Sequence, residues 1–339
     1  MGKLLILVDA MGGDKAPHSN VLGSINALKR SEGFDIGLIG DSEIIKRIIE
    51  DNKFTSSRLK IYHASEVIVG EDEPIKAIRA KKNSSIVIGM RMLKEKSGDV
   101  FISSGDTGAL LVGGKLIIKS IDGVDRPALP AMLPTKKGHV LLLDAGSNTE
   151  CDPQNLYQFA QMGSVYMKEV MNIKNPTIGL INVGTEDRKG TANLKQAFKI
   201  LSESELNFVG NIEGRDILEG AVDVVICDGF VGNVILKLLE GAASFLFGNI
   251  KSILEKNVLS KICALFIKKD LKAFAKKFDY EEEGGTLLFG INGYIIKCHG
   301  SSTAKAIANS IIKATEIVKS DLLEKLNDTF KNNETSKGY

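Results

Sequence analysis

A chain of 339 residues with 43% hydrophobic content and a formal charge of +2 is long and apolar enough to bury a core as one large domain or two coupled lobes, which excludes disorder for its bulk. The near-neutral charge, the 6% aromatic content and the lack of tryptophan speak against nucleic acid as a partner; the four cysteines, Cys151, Cys227, Cys263 and Cys298, are widely spaced with no Cys-x-x-Cys, so neither a metal site nor a disulfide framework is expected. The opening MGKLLILVDA has an apolar run that meets Asp9 too early for a signal-peptide core or a membrane span, which makes the expectation cytoplasmic.

Residues 4–8 read as a buried parallel strand, followed by DAMGGDKAP and a helix over 18–29, with Pro17 suited to its first turn. Gly12 and Gly13 permit positive φ or close backbone approach there, and Asp9 and Asp14 are expected first of all to cap backbone amides. Strands over 34–40 and 59–63, with a helix over 43–51 between them, continue the β-α-β alternation, and His63 at a strand end is expected to be a structural donor. Glu71, Asp72 and Glu73 precede a helix that Pro74 opens. Arg79, Lys81 and Lys82 then lead into a serine-capped helix over 86–96, a basic cluster that fits a phosphate, an acidic protein or a solvated face.

The chain is organised around VFISSGDTGALL, residues 100–111, in which a short apolar strand enters Ser103-Ser104-Gly105-Asp106-Thr107-Gly108 and an apolar helical run over 109–118 leaves it. Such a turn aims backbone N–H groups and the positive helix end at one point, where a phosphate-sized anion fits; a capped helix that binds nothing fits the same residues. Strands over 139–143 and 177–181 end in two further polar turns, Asp144-Ala145-Gly146-Ser147-Asn148 and the run 182–190 that begins at Asn182. Lys189 stands at the entrance of a helix over 191–201, where a cation is unfavourable by about 0.3–1 kcal/mol unless an anion offsets it. That makes it the strongest charged candidate for holding a substrate anion. Segments 208–216 and 222–233 repeat the pattern of strand, Gly/Asn/Asp turn and helix, and in open parallel sheets such turns converge on a ligand at the carboxyl ends of the strands. No Walker loop, G-x-G-x-x-G, G-x-S-x-G or H-E-x-x-H is present, so no nucleotide or other cofactor is expected.

Residues 234–278 differ in kind: two helical patterns with a break near 257–260, a helical hairpin. In its second arm Leu259, Ile262, Cys263, Phe266, Ile267, Leu271, Phe274 and Phe278 share one face and Lys261, Lys268, Lys269, Lys272 and Lys276 the other, with Asp270 and Lys277 interrupting the apolar stripe. The pattern suits an anionic bilayer, at roughly 1 kcal/mol per nearby lysine, or a bundle with a second subunit. Dimer packing at the base and membrane contact toward the tip, through Leu259, Ile262, Phe266, Ile267, Lys268 and Lys269, are both expected. A glycine-rich loop and a strand over 294–297 end at His299, a serine-capped helix follows over 303–320, and from Asn327 the chain reads as a polar, frayed tail. The expected organisation is one α/β unit of two lobes over 1–325, including the hairpin 233–278, with a tail over 326–339.

As a set, Asp9-Ala10-Met11-Gly12-Gly13-Asp14, the turn from Ser103 to Leu110, the turns 182–190, 210–216 and 228–234, and Lys297-Cys298-His299-Gly300 strongly resemble the bacterial acyl-ACP:phosphate acyltransferases of phospholipid synthesis, from the first strand to about Ser320. Relatives often have Ala-Gly-Asn at Ser104-Gly105-Asp106 and Gly-Ala-Asn at Gly146-Ser147-Asn148; a carboxylate at Asp106 repels phosphate unless a cation pairs with it. The resemblance implies a three-layer α/β/α sandwich with a mostly parallel sheet, like the isocitrate and isopropylmalate dehydrogenases, and a homodimer. It implies acyl transfer from acyl carrier protein to inorganic phosphate, and peripheral attachment to the inner face of the cell membrane, where the acyl phosphate passes to a membrane glycerol-3-phosphate acyltransferase.

The expected mechanism is direct attack by a phosphate seated by Ser103, Ser104, Gly105, Thr107, Gly12 and Gly13 together with Lys189. Backbone amides, Asn148, Asn182 or Asn233 would stabilise the oxyanion, one such donor being worth about 3 kcal/mol, and His299 would protonate the departing thiolate. Arg79, Lys81 and Lys82 would face the acidic carrier protein. An acyl-enzyme through Cys227 or a serine lacks a paired base. A phosphotransacetylase using acyl-CoA shares the same anion logic; a non-catalytic membrane scaffold leaves the polar turns unexplained; and a decarboxylating dehydrogenase needs a carboxylate and arginine set that is not found.

Overall fold

The computed structural model describes residues 3–276, 278 and 280–336; Lys277 of the hairpin stripe and the side chain of Cys263 lie outside the described residues. The first lobe is built from β1 (Leu4–Asp9), α1 (His18–Arg30), β2 (Phe34–Gly40), α2 (Ser42–Asp51), β3 (Leu59–His63), α3 (Pro74–Ala80), α4 (Ser85–Lys94), β4 (Val100–Ser103) and α5 (Thr107–Gly113), the last running into a π-helical stretch, Gly114–Ile118. The second lobe follows with β5 (Ala131–Thr135), β6 (Gly138–Leu143), α6 (Pro153–Glu169), β7 (Ile178–Ile181), α7 (Ala192–Ser202), β8 (Phe208–Ile212), α8 (Gly214–Glu219) and β9 (Val224–Ile226). The arm is α9 (Gly229–Glu255) and α10 (Val258–Lys276), after which α11 (Tyr280–Glu283), β10 (Thr286–Leu287), β11 (Tyr294–Lys297), α12 (Ala304–Lys319) and α13 (Leu322–Ser336) return the chain to the first lobe.

The strands form two sheets, one of six strands in the order β10-β11-β4-β1-β2-β3 and one of five in the order β5-β6-β9-β7-β8. Each is parallel except for one antiparallel edge strand, β10 in the first and β5 in the second. Neither edge strand is readable from sequence: β10 is two residues long, and β5 carries Pro134, which lacks an N–H and suits only an edge. The central strands are apolar on both faces because helices cover both, and Ile6, Leu7, Val8, Val100, Phe101, Ile102, Ile295 and Ile296 are all buried. Across one face α1 crosses α12 closely, since a side chain at Gly23 would lie 2.5 Å from Cβ of Ile307.

The expected polar tail is corrected. Helix α13 continues to Ser336 and buries Leu322, Leu326 and Phe330 at a spacing of four, one helical stripe concealed among polar residues, in a helix that packs on α6.

The hairpin is present, with its break at residues 256–257, where Asn257 Oδ1 accepts from the Ser260 N–H at 2.8 Å and caps α10. Phe247, Phe274 and Phe278 form a ring cluster between its two helices. Glu282 bridges Lys276 of α10 at 3.5 Å and Lys305 of α12 at 2.7 Å, fixing the root. Of α9, long and apolar enough to cross a membrane by length and composition, only Gly229 and Gly232 are buried among the described residues.

Candidate active site

Because β1, β4 and β11 are neighbours, the turns that follow them meet at one sheet edge. The Asp9 carboxyl, fully buried at the end of β1, accepts through Oδ1 from the N–H groups of Met11 and Gly12 (3.0 and 3.1 Å) and through Oδ2 from Ser103 Oγ (2.6 Å). Ser103 Oγ in turn accepts from the Gly105 N–H at 2.9 Å, and Asn20 of α1 donates to the carbonyls of Asp9 and Gly12. The Asp14 N–H reaches the Gly300 carbonyl and the Cys298 N–H the Ser103 carbonyl, each at 2.8 Å. Gly13 has φ of +100°, and a Cβ at Gly12 would lie 2.4 Å from Asp9 Oδ2, so both glycines are required by the packing of the three turns. Burial pushes the Asp9 carboxyl above its ordinary range, against hydrogen bonds from Ser103, Ser85, Met11 and Gly12 that pull it down.

This network changes the reading of the turn as an open anion nest. The N–H groups of Gly12 and Gly105 serve Asp9 and Ser103, and Asp106 caps α5 by accepting from the Ala109 N–H at 2.7 Å. Ser104 Oγ is buried without a hydrogen-bond partner, close to the Cys298 thiol. Of the six residues expected to seat phosphate, Thr107 is the one that borders the main cavity.

That cavity, of about 450 Å³, is walled by both lobes. Its polar lining includes Thr107, Lys297, His299 and Gly300 from the first lobe with Gly146 and Asn233 from the second; its less polar lining includes Met132, Leu141, Tyr166, Leu287, Phe289 and Ile317. The base of α9 contributes Leu236, Lys237 and Glu240 as well. Sequence reasoning pointed to His299 and Asn233 and passed over Lys297, although a lysine at the carboxyl end of an apolar strand was the available signal. Lys297 is half-buried at the end of β11 and donates to the Cys298 carbonyl. Burial pushes its pKa down, while Cys298, Asp106, Asp14 and Asp9 act to raise it.

His299 Nδ1 lies 2.8 Å from Ser301 Oγ and accepts from the Ser301 N–H at 3.2 Å. Burial, then the charges of Lys237 and Lys297, push its pKa below the ordinary histidine range, with Glu240 and Asp14 opposing. The neutral imidazole is therefore favoured near pH 7, so His299 must first accept a proton before it can pass one to a departing thiolate.

In the second lobe, the buried carboxylate of Asp144 gathers the turn after β6, accepting from the N–H groups of Leu129, Gly146, Ser147 and Asn148. The Asn148 amide donates to both Asp144 Oδ2 and the Pro127 carbonyl at 2.8 Å, so its two hydrogens hold the turn and are not directed at an oxyanion. Asn182 is used similarly: Nδ2 donates to the Lys189 carbonyl at 3.1 Å and Oδ1 accepts from the Val183 N–H. Lys189 is exposed on the turn after β7, two strands from β6 along the same sheet edge, and is not part of the cavity wall. Its ammonium is 3.8 Å from Glu186, which supplies the anion demanded by a cation at a helix entrance.

Cys151 and Cys227 are poor nucleophiles. Burial, with Asp144 and Asp228 beside it, pushes the Cys151 thiol up to about 12, and the same causes push Cys227 well above its ordinary range. Lys81 pairs with Asp72 at 2.5 Å and donates to the Val67 carbonyl, while Arg79 and Lys82 are exposed. Leu259, Ile262, Phe266, Ile267, Lys268 and Lys269 are all exposed on α10, Phe266 by 82%. Among the described residues no group of His, Cys, Asp and Glu side chains is placed to hold a metal ion.

The two mostly parallel sheets form a fold shared with solved phosphotransacetylases. A phosphotransacetylase from Streptococcus pyogenes superposes with a TM-score of 0.64 over 96% of this chain and 95% of its own, at 16% identity. The sequence matches the model of the family described as fatty acid synthesis protein over residues 4–325. It is 51% identical over 331 residues to the phosphate acyltransferase of Acetivibrio thermocellus, covering 98% of each chain. It is 47% identical to that of Thermoanaerobacter pseudethanolicus, covering 95% of this chain and 96% of the relative. The chain belongs to this family of phosphate acyltransferases.

Proposed function

We propose that the protein reversibly transfers a fatty acyl group from acyl carrier protein to inorganic phosphate, releasing acyl phosphate for phosphatidic acid and phospholipid synthesis. The observation that carries this reading is the cavity of about 450 Å³, lined by a cation, a hydroxyl and a histidine together with Met132, Leu141, Tyr166, Leu287, Phe289 and Ile317. Apolar lining of that kind suits a fatty chain, and the polar lining suits the thioester and its attacking anion. Phosphate attacks the thioester directly, since the raised thiols of Cys151 and Cys227 argue against an acyl-cysteine.

The exposed Lys189 stands at the same strand-end edge as the Gly146 turn and contributes a second-lobe cation for the phosphate. Lys189→Ala is expected to lower kcat by about a hundredfold with an unchanged unfolding midpoint. Wild-type kcat in that variant would remove the turn after β7 from the site.

Arg79 and Lys82 form the docking patch for the acidic carrier protein. Reversing both charges is expected to raise KM for acyl carrier protein several-fold while kcat changes little; a change confined to kcat would place docking elsewhere. The exposed apolar surface of α9 and α10 supports a homodimer at the base of the arm and contact between its tip and the anionic inner face of the membrane. The protein is on this reading cytoplasmic and peripherally attached, handing acyl phosphate to a membrane glycerol-3-phosphate acyltransferase.

The deciding experiment incubates purified protein with phosphate and palmitoyl-acyl carrier protein, or palmitoyl-CoA in parallel, and traps acyl phosphate with hydroxylamine. Phosphate-dependent product from the carrier protein alone is expected. Product from the CoA thioester alone would identify a phosphotransacetylase, and no product from either would leave a membrane scaffold.

A further inference from the structure

We propose that Lys297 is a catalytic residue: its ammonium binds the attacking phosphate on the cavity wall and offsets the charge that develops on the thioester oxygen. The proposal rests on the acyl-transfer reading above and assigns the principal cation to the first lobe.

Three observations converge on this lysine. It closes β11, which lies against β4, so it emerges at the edge where the turns containing Gly12, Ser103 and Gly300 pack together. It lines the same cavity as Thr107, His299 and Gly300 of the first lobe and Gly146 and Asn233 of the second. Among the described residues its ammonium donates to the Cys298 carbonyl and forms no ion pair, whereas Lys189 has Glu186 and Lys81 has Asp72. An ammonium has three donors, and a half-buried one is stabilised by an anion that takes those left over. Asp9, Asp14 and Asp106 act on it from a distance and favour its charged form. Asp9 and Asp106 are themselves engaged by Ser103 and by the Ala109 N–H.

The step balances without a cofactor. An oxygen of hydrogen phosphate forms a bond to the thioester carbon as the carbonyl π pair moves onto oxygen. The pair returns as the C–S bond breaks, and the sulfur leaves with its bonding electrons. The phosphate proton passes to the neutral imidazole of His299 and from there to the carrier thiol. Lys297 keeps its protons throughout and acts as fixed charge.

The test uses full-length protein, palmitoyl-acyl carrier protein and varied inorganic phosphate, with hydroxylamine trapping. Lys297→Gln is expected to raise KM for phosphate about tenfold and to lower kcat about a hundredfold, with KM for the carrier protein little changed; Lys297→Arg restores part of the phosphate KM. In thermal unfolding, inorganic phosphate is expected to raise the midpoint of the wild type and not that of Lys297→Gln. A folded Lys297→Gln protein with wild-type kcat, phosphate KM and phosphate-induced shift overturns the proposal, as does a Lys297→Gln defect confined to the unfolding midpoint. If that variant does not fold, Lys297→Arg decides: a raised phosphate KM at unchanged carrier-protein KM supports the proposal, and wild-type values of both overturn it. A wild-type protein inactive with both palmitoyl donors refutes the acyl-transfer reading itself, a result distinguishable from every variant outcome.

Discussion

Gly232→Ala is expected to destabilise the protein by about 3 kcal/mol or more and to lift the arm from the second sheet. Gly232 lies in the first turn of α9, where an added Cβ would stand 1.8 Å from the Asp144 carbonyl oxygen, 2.9 Å from its carbon and 3.0 Å from Cys227 Sγ. Two of these atoms are backbone, and the turn to which they belong is held by the Asp144 carboxylate through Leu129, Gly146, Ser147 and Asn148. No side-chain rotation relieves the clash, so either the helix moves or that turn breaks. Moving the helix carries Asn233, Leu236 and Lys237 with it, and the cavity wall they form. Denaturant unfolding and acyl phosphate formation should therefore fall together. Gly241→Ala on the same helix is the control: nothing lies within 4 Å of its new methyl group, and alanine is favoured over glycine in a helix by about 1 kcal/mol. Equal midpoints for the two variants would show that α9 is not seated on Asp144 in solution.

Asp9→Ala is expected to reduce acyl phosphate formation by about a hundredfold or more and to lower the unfolding free energy by about 3 kcal/mol. It leaves the Ser103 hydroxyl and the Met11 and Gly12 N–H groups without their acceptor in a buried site, each such group costing about 1–3 kcal/mol. Asp9→Asn retains an amide oxygen for the two N–H groups and should lose less. The pair also carries a pH signature. Burial raises the Asp9 carboxyl, so the folded protein keeps this proton to higher pH than the unfolded chain. Its contribution to stability is full below the unfolded pKa and is lost as pH rises through the folded one. Unfolding midpoints measured through the acid range should show this loss in the wild type and a flatter profile in Asp9→Asn. Parallel profiles would mean that Asp9 is not buried as a titrating carboxyl.

What the sequence conveyed well was local. Apolar runs alternating with helical periods place β1 to β4 and the parallel strands of the second lobe, and polar residues collected at strand ends mark the edge where the site forms. What it conveyed poorly depends on partners far along the chain. Asp9 and Ser103 are 94 residues apart, so their bond, and with it the engagement of the Gly12 and Gly105 N–H groups, is invisible to a window of sequence. Lys297 gains its place only because β11, the last long strand, inserts beside β4. The partner of Lys189 is nearer in sequence: Glu186 stands three residues away on the same turn, 3.8 Å from its ammonium.

Helix α9 has 27 residues, about 40 Å at 1.5 Å per residue, and it belongs to two places at once. Leu236, Lys237 and Glu240 at its root are cavity wall, while Phe245, Leu246 and Ile253 further out face solvent. With Gly232 wedged against Asp144 as the fulcrum, Glu240 lies about 12 Å along the shaft and the far end about 35 Å. The helix is a lever: a sideways displacement at its outer end arrives at Glu240 about threefold smaller, and a change in the cavity is magnified by the same ratio outward. Whatever the outer end rests on and whatever the cavity holds are thus mechanically coupled, each able to bias the other through a single rod.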